Sequence, residues 1–368
     1  MNKPIKALVL AADYSHPDGR IKLHYIHMRN IYYVKHGIDV TVINFRADKA
    51  YSLDGIPVIT YKDYQADKKQ YDVLICHAPN IRNHYRFLKK HQKRFKNIIF
   101  VFHGHEVLRL NATYPKPFPF MKGASGIRRA ARDAYDSLKL RLWRNYLPKL
   151  APKSRFIFVS GWIKREFFRN TGLTPQSLMN NGIIISNAVG AVFENQSYDA
   201  NIKKEYDFFT LRSDMDLSKY GVDIVNSLAL SNPDLKFLLV GKGNFFSHIA
   251  KADNLTWLEG ALPHEKIVEM LDKCSCGLMP TRQDTQGLMG CEFAAYGIPL
   301  ITSDIDVCRE VFDGMENVAL ISNSDTAQDL KPMLDKLTAG VPYKKDTRYF
   351  AENTVMKEID LIKEIVVG

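Results

Sequence analysis

Two successive series of short apolar segments run through the chain, and they limit the folds that it can adopt. The first series lies near residues 5–12, 38–44, 72–76, 97–102 and 155–160, and the second lies near residues 206–211, 235–241, 255–260, 276–280, 298–303 and 318–322. The segments are continuously apolar rather than alternating, and stretches with helical periodicity separate them. Buried strands that alternate with helices are typical of parallel sheets covered on both faces. The pattern therefore predicts an α/β protein with two doubly wound domains.

A polar stretch near residues 194–204 separates the two series and marks the domain boundary. We place an N-terminal domain at residues 1–195 and a C-terminal domain at residues 196–349. A length of 368 residues suits two domains of this size. A regular apolar stripe within residues 350–368 predicts a final helix. This helix is expected to pack back on the N-terminal domain or to stay with the C-terminal one.

The charge of the chain is distributed unevenly between these two halves. The formal net charge is +11, but residues 1–195 carry 33 Lys and Arg against 13 Asp and Glu, whereas residues 196–368 carry 18 against 27. The basic half is therefore expected to face an anionic partner such as a membrane surface, a phosphorylated substrate or nucleic acid. No nucleic-acid-binding module is recognisable in the sequence, so we expect no nucleic-acid partner.

Cysteine usage and hydropathy exclude several classes of protein. The five cysteines form no pair of CxxC units and lie in apolar segments, which predicts reduced, buried thiols rather than a zinc site or a disulfide framework. The apolar run at residues 7–12 is too short for a secretory signal, and no stretch approaches the length of a membrane span. We therefore expect a cytoplasmic protein without a resident metal.

The most informative local pattern follows the apolar segment that ends near residue 280. A polar loop carries Asp284 and Gly287, and a helix is expected over residues 288–296. The backbone amides of Gly287 and Leu288 would open this helix and form an anion site that suits a diphosphate. Glu292 lies one turn inside the helix, so its carboxylate and that of Asp284 are expected to flank the anion and to accept hydrogen bonds from sugar hydroxyls.

An acidic residue, seven intervening residues, Glu, then a helix of small residues and Gly-Ile-Pro resembles the signature of retaining GT-B glycosyltransferases of the family 4 type. The resemblance implies the GT-B architecture, in which two Rossmann-like domains with parallel sheets face each other across a cleft. It also implies that Glu292 binds the ribose of a nucleotide sugar, that Asp284 contacts the donor sugar, and that Gly287 and Leu288 hold the distal phosphate. The family usually has Glu where this chain has Asp284, so the identity of the donor sugar stays open.

Three further residues match the donor-binding part of this family. The resemblance implies that Arg212 and Lys219 clamp the donor diphosphate and that Gly241 lies in a loop near the nucleotide. Such cations would stabilise the leaving group, because the negative charge that develops on a departing diphosphate must be neutralised by a metal or by fixed positive groups. A solvated surface lysine is the alternative interpretation of Lys219, since Tyr220 lengthens the usual spacing.

In the N-terminal domain, two loops match the family by their positions after predicted strands. Gly19 resembles the glycine loop that closes over the phosphates and the acceptor. His103 directly follows the segment at residues 97–102, and the resemblance implies that it lines the active site beside the donor sugar, with Glu106 nearby. The expected catalytic residues are thus His103, Asp284 and Glu292. The alternative for His103 is a packed or surface histidine.

Residues 120–155 contain ten Lys and Arg, including Lys122, among apolar residues at helical spacing. A basic amphipathic helix of this kind is typical of a surface that lies on anionic lipid. The residues expected to face a membrane or the acceptor are Arg128, Arg129, Arg132, Lys139, Arg141 and Arg144. A second basic cluster spans residues 82–96. The alternative is a solvated charged helix that packs its apolar face on the core.

These patterns predict a metal-independent retaining glycosyltransferase that moves a sugar from a UDP- or GDP-sugar to a lipid-linked or membrane-proximal glycan. Its place would be in cell-surface polysaccharide synthesis, at the inner face of the cell membrane. Alternatives are a sugar-nucleotide 2-epimerase of the same fold and a non-catalytic scaffold or nucleic-acid-binding protein. The Asp214/Asp216 and Asp304/Asp306 pairs allow a metal-dependent transferase, but two α/β domains disfavour that architecture.

Overall fold

A computed structural model of the chain describes residues 3–20, 22–67, 69–121 and 125–367. Lys122 of the basic run lies outside these ranges. The chain divides into two compact units. The first unit consists of the residues up to Leu110, of Ala131–Ala188 and of the residues from Ala351 onward; the second consists of Asn111–Ala130 and Val189–Phe350.

The first unit contains an eight-stranded sheet. Its strands are β1 (Ile5–Ala11), β2 (Ile38–Asn44), β3 (Tyr51–Leu53), β4 (Ile56–Ile59), β5 (Val73–His77), β6 (Asn97–Phe102), β7 (Ser154–Phe158) and β8 (Gly182–Ile184). The strand order is β3-β4-β2-β1-β5-β6-β7-β8, and only β3 and β4 pair in antiparallel orientation. In the central register, Val9 lies opposite Val42 of β2 and Ile75 of β5.

The second unit contains a six-stranded sheet in which every pairing is parallel. Its strands are β9 (Tyr206–Arg212), β10 (Phe237–Gly241), β11 (Leu255–Glu259), β12 (Cys274–Met279), β13 (Leu300–Ser303) and β14 (Val318–Ile321). The order is β11-β10-β9-β12-β13-β14. The chain therefore crosses from β11 on one edge to β12 at the centre, which creates a switch point where ligands bind in doubly wound sheets.

Helices connect the strands throughout both units. They are α1 (His24–Lys35), α2 (Tyr61–Ala66), α3 (Arg86–His91), α4 (Leu110–Thr113), α5 (Gly126–Leu150), α6 (Gly161–Thr171), α7 (Ala191–Asn195), α8 (Val222–Ser231), α9 (Phe245–His248), α10 (His264–Asp272), α11 (Leu288–Tyr296), α12 (Asp306–Val311), α13 (Lys331–Thr338) and α14 (Val355–Val367). Among the described residues, none of these helices combines the length and apolarity that crossing a bilayer requires.

Both faces of the first sheet are buried. Consecutive residues of its central strands are buried, and successive side chains of a strand point to opposite faces. Along β1, Leu8 and Leu10 belong to one apolar cluster and Val9 belongs to the other. The second cluster includes Ile359 of α14, so this helix packs in the first unit. A buried ion pair supports the packing, since Nε of Arg29 in α1 lies 2.9 Å from a carboxylate oxygen of Glu358 in α14.

The predicted α/β class with two parallel sheets is confirmed. Each predicted apolar segment contains a strand, and the predicted helix over residues 288–296 coincides with α11. The sheet of the first unit is extended by β3, β4 and β8, which the sequence did not indicate. All five cysteines are free and buried, as predicted.

Candidate functional site

A pocket of about 380 Å³ lies at the carboxyl edge of the six-stranded sheet. Several parts of the second unit line it. They include Arg212 at the end of β9 and Tyr220 in the turn that follows, residues 260–262 and His264 at the start of α10, and residues 287–290 at the start of α11. Strand β9 lies beside the crossing point of the sheet, where parallel α/β folds bind ligands outside the carboxyl ends of their strands. The topology therefore favours this pocket as the ligand site of the unit.

Helix α11 begins at the pocket with an uncapped end. Its N-cap, Gly287, has φ +74° and, as a glycine, supplies no side chain to cap the helix. A positive φ suits glycine, because a Cβ would clash in this conformation. Leu288, Met289 and Gly290 line the pocket, and the first amides of a helix have no acceptor within it. Gly287 and Leu288, predicted to hold a distal phosphate, are thus both placed at a candidate anion site.

Arg212 supplies a buried positive charge at the same pocket. The residue is 7% exposed, and its Nη2 donates to the carbonyl oxygen of Pro280 at 2.6 Å. The Nε donor is buried and has no hydrogen-bond partner in the described part of the chain. Burial lowers the pKa of Arg212 to about 10, against the attraction of Asp284, so the guanidinium is charged at neutral pH. A buried cation with an unused donor is costly unless an anion compensates it.

Lys219 and Tyr220 stand in a short turn after β9. The Lys219 ammonium lies 4.5 Å from the centre of the Tyr220 ring and 5.4 Å from that of Tyr114. The Arg212 guanidinium lies 5.6 Å from the same Tyr220 ring. Tyr220 lines the pocket, whereas Lys219 is half-buried beside it. The two predicted cations are therefore neighbours of one aromatic ring.

Asp284 lines the pocket from the loop before α11. Its Oδ1 accepts hydrogen bonds from the backbone amides of Thr285 at 2.7 Å and Gln286 at 3.4 Å. A short acidic side chain can bond to the following backbone in this way, which holds the loop in a turn. One oxygen of Asp284 thus stabilises the loop, and its carboxylate attracts the Arg212 guanidinium. Its predicted contact with the donor sugar stays a prediction.

Glu292 is a buried carboxyl group one turn inside α11. It is 3% exposed, it accepts a hydrogen bond from the Gly190 amide at 3.1 Å, and it lies 3.8 Å from Nε2 of His264. Burial raises the pKa of Glu292 to about 8, so the group is largely protonated at neutral pH. His264 lines the pocket, and burial lowers the pKa of its imidazole. Gly190 must be small here, because a Cβ would lie 2.5 Å from the His264 ring.

Gly190 and His264 were not singled out from the sequence. His264 is the first residue of α10, and nothing in the sequence signalled its approach to Glu292. Gly190 is 102 positions away from Glu292 along the chain. Only the tertiary structure brings such distant residues together.

Gly241 ends β10 but does not line the pocket. A Cβ at this position would lie 2.6 Å from the carbonyl oxygen of Arg212 and 2.9 Å from Cγ of Met215. The glycine therefore allows close packing against the chain that carries Arg212. Gly241 thus contributes to the site by packing against Arg212, and its predicted place near the nucleotide stays a prediction.

The two Asp-x-Asp pairs have partners of their own. Asp214 accepts a hydrogen bond from the Asp216 amide at 3.0 Å, and the Asp216 carboxylate accepts one from the amide of Asn244, in the loop after β10, at 2.9 Å. Asp304 and Asp306 both form ion pairs with Arg309. Within the described residues, no group of three or more His, Cys, Asp or Glu side chains is arranged to hold a metal ion.

In the first unit, His103 follows β6 and belongs to a histidine pair. Its Nε2 lies 3.2 Å from Nδ1 of His77, the last residue of β5, and its ring lies 4.4 Å from that of Tyr25. Glu106 is buried and accepts hydrogen bonds from the amides of His103 and Gly104. Burial lowers the pKa of both histidines well below 6.5, so both rings are neutral at neutral pH. His77 was missed, although its place at a predicted strand end was a usable signal.

Gly19 lies in a turn of the first unit, where its amide bonds to the carbonyl oxygen of His16. Its φ is +90°, and nothing lies within 4 Å of the position that a Cβ would take. Only the backbone conformation therefore requires glycine here. Residues on both sides of it, among them His16 and Arg20, line a second pocket of about 610 Å³. The predicted role of this loop toward phosphates and acceptor stays a prediction.

The basic run at residues 126–150 forms helix α5, and its first half is solvent-exposed. Arg128, Arg129 and Arg132 are exposed, as are the apolar side chains of Ile127 at 84% and Leu138 at 51%. The two remaining predicted arginines, at positions 141 and 144, are exposed further along the helix. Exposed apolar and basic residues on one helix suit an anionic surface.

Lys139 does not belong to this surface, so its predicted role there is wrong. The residue is 2% exposed, and its ammonium donates to the carbonyl oxygens of His105 and Leu108 and to Oδ1 of Asp136, all within 2.8 Å. Asp136 in turn accepts from the amide of Leu110. A buried lysine is tolerated when it is paired and hydrogen-bonded in this way. Lys139 therefore braces the loop that follows His103.

Comparison with known proteins supports a glycosyltransferase relationship for the second unit. Residues 217–339 match the family model described as glycosyl transferases group 1. An uncharacterised glycosyltransferase of Methanocaldococcus jannaschii is 26% identical over 208 residues, which cover 55% of this chain and 54% of that protein. The chain thus spans about half the length of this curated relative.

Solved structures match nearly the whole chain. Sucrose-phosphate synthase from Thermosynechococcus elongatus has a TM-score of 0.72 at 13% identity, with 99% of each chain covered. HepE from Anabaena, solved in complex with UDP-glucose, has a TM-score of 0.63 at 12% identity, again with 99% of each chain covered. The chain has the GT-B fold of glycosyltransferases, which confirms the predicted fold class. The family 4 subtype stays a prediction.

Proposed function

We propose that this protein is a glycosyltransferase whose second unit binds the nucleoside diphosphate of a UDP- or GDP-sugar. The observation that carries the proposal is Arg212, a buried guanidinium with an unused Nε donor beside a pocket that also receives the start of α11. A diphosphate suits both, because its oxygens accept from guanidinium groups and from the free amides of a helix N-terminus. The similarity to glycosyltransferases, one of them solved with UDP-glucose, supports this choice over an epimerase or a scaffold.

The two carboxyl groups have separate roles in this proposal. Glu292 lies in a buried cluster with His264, and it accepts hydrogen bonds from the ribose hydroxyls of the donor. Ribose binding stabilises the ionised carboxylate, because hydroxyl donors favour the charged form. Asp284, in the loop before α11, contacts the donor sugar. Because Asp284 is shorter than the usual Glu of the family, the donor sugar is best found by a screen rather than by analogy.

The reaction is a same-face substitution that needs no metal. The bond between the anomeric carbon and the leaving diphosphate breaks while the acceptor oxygen bonds to the same face of that carbon. The acceptor proton passes to an oxygen of the departing diphosphate, whose charge Arg212, Lys219 and the start of α11 stabilise. His103, whose ring lies 3.2 Å from His77, has a role toward the sugar that stays a prediction. The nucleotide sugar is a co-substrate, and no resident cofactor is required.

Calorimetric titration with UDP, GDP and ADP tests the donor site. Wild-type protein is expected to bind UDP or GDP, and an Arg212→Gln variant is expected to lose at least tenfold in affinity, because a charge-assisted contact to phosphate is removed. The matched control is Lys331→Gln, an exposed lysine on α13 that pairs with Asp335. Absence of binding to both UDP and GDP, or unchanged affinity in Arg212→Gln, contradicts the proposal.

A product assay tests the stereochemistry and the metal requirement. Nuclear magnetic resonance of the product should show the same anomeric configuration as the donor, and chelator-treated protein should keep its activity. An inverted anomer or full dependence on a divalent cation contradicts the proposed reaction.

The acceptor is proposed to be a lipid-linked or membrane-proximal glycan of cell-surface polysaccharide synthesis, reached at the inner face of the membrane. The exposed half of α5, with Arg128, Arg129, Arg132 and the 84% exposed Ile127, supports this placement. Arginines attract anionic lipid and an apolar side chain inserts among the acyl chains, which together give peripheral binding.

Sedimentation with lipid vesicles tests this placement. The protein is expected to sediment with vesicles that contain phosphatidylglycerol and to remain in solution with neutral phosphatidylcholine. A variant with Gln at positions 128, 129 and 132 should lose the difference between the two vesicle types, whereas Lys331→Gln should keep it. Binding that is indifferent to lipid charge contradicts the membrane proposal and leaves the donor site unaffected.

A further inference from the structure

A proline-rich segment at residues 114–121, the strap, packs in the second unit although it precedes α5 in the chain. Its sequence is YPKPFPFM, with prolines at positions 115, 117 and 119. Each proline fixes φ and removes a backbone donor, so alternate prolines keep a segment extended and restrict its conformations before it docks. The strap therefore loses little conformational freedom when it packs, and it can hold its side chains at defined positions.

Two phenylalanines anchor the strap on helix α9. Phe118 and Phe120 lie 5.1 and 5.9 Å from the ring of Phe245, which is fully buried in the core of the second unit. The Phe120 ring also stacks on His248 at 4.4 Å with an interplanar angle of 9°. Aromatic pairs in this distance range attract one another beyond their simple burial. This end of the strap is thus attached to the helix that follows the Gly241 loop.

The middle of the strap is attached to the turn that carries Lys219. Ser218, which is 8% exposed, donates a hydrogen bond from Oγ to the carbonyl oxygen of Lys116 at 2.7 Å. Lys219 is the next residue, and the pocket-lining Tyr220 follows it. The strap is therefore attached to α9 through its phenylalanines and to the turn after β9 through Lys116, and Tyr114 lies beside Lys219 of that turn.

Tyr114 and Tyr220 together restrict the Lys219 ammonium. The two ring centres lie 5.4 and 4.5 Å from Nζ, within the range of cation–π attraction. A lysine side chain has four rotatable bonds and normally samples many rotamers, which costs entropy when a ligand must fix them. The rings of Tyr114 and Tyr220 lower this entropic cost, because they already restrict the Lys219 side chain before a ligand binds. They attract the cation without a carboxylate, so its charge stays available for an anion.

We propose that the strap is a positioning device for the donor diphosphate, in which Tyr114 holds Lys219 ready to contact the distal phosphate. The inference rests on the proposed donor site and adds a residue from outside the nucleotide-binding motif. Tyr114 acts through Lys219 and is a positioning residue rather than a catalytic one. A nucleoside monophosphate, which lacks the distal phosphate, is expected to be indifferent to both residues.

The test compares UDP with UMP, or GDP with GMP if the protein prefers guanosine, in calorimetric titrations. A Tyr114→Leu variant is expected to lower the affinity ratio of diphosphate to monophosphate roughly 3- to 30-fold, the equivalent of one cation–π contact. Tyr114→Phe keeps the ring and should keep the ratio within about twofold of the wild-type value. Lys219→Met should lower the ratio at least as much as Tyr114→Leu.

A double-mutant cycle separates positioning from a general structural role. In the Lys219→Met background, Tyr114→Leu should cause no further loss in the ratio, because its target is already absent. Equal losses in both backgrounds, or an unchanged ratio in Tyr114→Leu, overturn the inference. If wild-type protein binds no nucleoside diphosphate, the proposed function fails; if it binds and depends on Arg212 while Tyr114→Leu keeps the ratio, only the role of the strap fails.

Discussion

A Glu292→Gln substitution is expected to stabilise the protein at alkaline pH and to leave it nearly unchanged at pH 5. Glu292 is 3% exposed, its carboxyl group accepts one backbone hydrogen bond, and the neighbouring His264 is 3.8 Å away. Burial raises its pKa from 4.5 to about 8. Glutamine has the same shape and no charge, so it imitates the protonated form that the folded protein prefers.

The pKa change determines the size and sign of the effect. The folded protein binds the proton of Glu292 more tightly than the unfolded chain does, so stability is fully present below pH 4.5 and falls as the pH rises toward 8. With these two pKa values, the free energy of unfolding loses roughly 4 kcal/mol between pH 5 and pH 9 through this one group. Glu292→Gln removes this loss, so its stability relative to wild type should rise by about the same amount over that interval.

Urea denaturation of both proteins at pH 5, 7 and 9 measures this difference, provided that unfolding is reversible and two-state at each pH. The matched control is Glu269→Gln, an exposed glutamate on α10 that pairs with Lys266, for which a change within about 0.5 kcal/mol is expected at every pH. A Glu292→Gln difference that does not vary with pH would refute the argument, because it would show that the buried carboxyl group titrates normally. Loss of UDP or GDP binding by the same variant is expected as well, since an amide cannot replace the carboxylate toward two ribose hydroxyls.

Three other substitutions or titrations follow from the same structure. Gly190→Ala places a Cβ 2.5 Å from the present His264 ring, so it should destabilise the protein by about 1–3 kcal/mol and weaken nucleotide binding in thermal-shift and calorimetric measurements. Burial lowers the pKa of His103 and His77 well below 6.5, so their imidazole resonances should not titrate between pH 6 and 8 in a nitrogen-15 spectrum; a midpoint above 6.5 would contradict this. Lys139→Met leaves the buried Asp136 carboxylate without its countercharge, which should cost about 3–5 kcal/mol in urea denaturation, and a loss below about 1 kcal/mol would mean that water reaches the pair.

The architecture could be predicted because strands that are buried on both faces leave an unmistakable pattern. Each long apolar segment proved to contain a strand, whereas β3 and β8 have only three residues each and leave no such segment. Pro57 interrupts the apolar run of β4, and a proline inside a run argues against a strand. The strands at the two edges of the first sheet were therefore the part of the fold that the local sequence pattern did not predict.

The candidate site divides in the same way between local and tertiary information. Asp284, Gly287 and Leu288 lie within five consecutive positions, and the loop and helix that carry them could be predicted from local signals. Neither the approach of Gly190 to Glu292 nor the packing of the strap in the second unit has a local signature. Both depend on how distant segments of the chain meet.

Lys139 shows why charge patterns alone mislead. Its position in a run of basic residues predicted exposure, but Asp136 lies three residues earlier on the same helix and pairs with it at 2.7 Å. The pair and two backbone carbonyl groups together satisfy the ammonium away from water. A single acidic residue at the right spacing was the signal that a charge count overlooked.

The uneven charge of the chain has a different consequence for each proposed partner. The exposed arginines of α5 act through solvent, where charges are screened beyond about 10 Å at 0.1 M salt. Arg212 is 7% exposed and sits in an acidic half of the chain, so it acts on a ligand at contact distance and is screened much less. Raising the salt from 0.05 to 0.5 M should therefore release the protein from anionic vesicles, while nucleotide affinity falls by no more than about tenfold. Parallel loss of both would mean that the same exposed charges attract lipid and nucleotide.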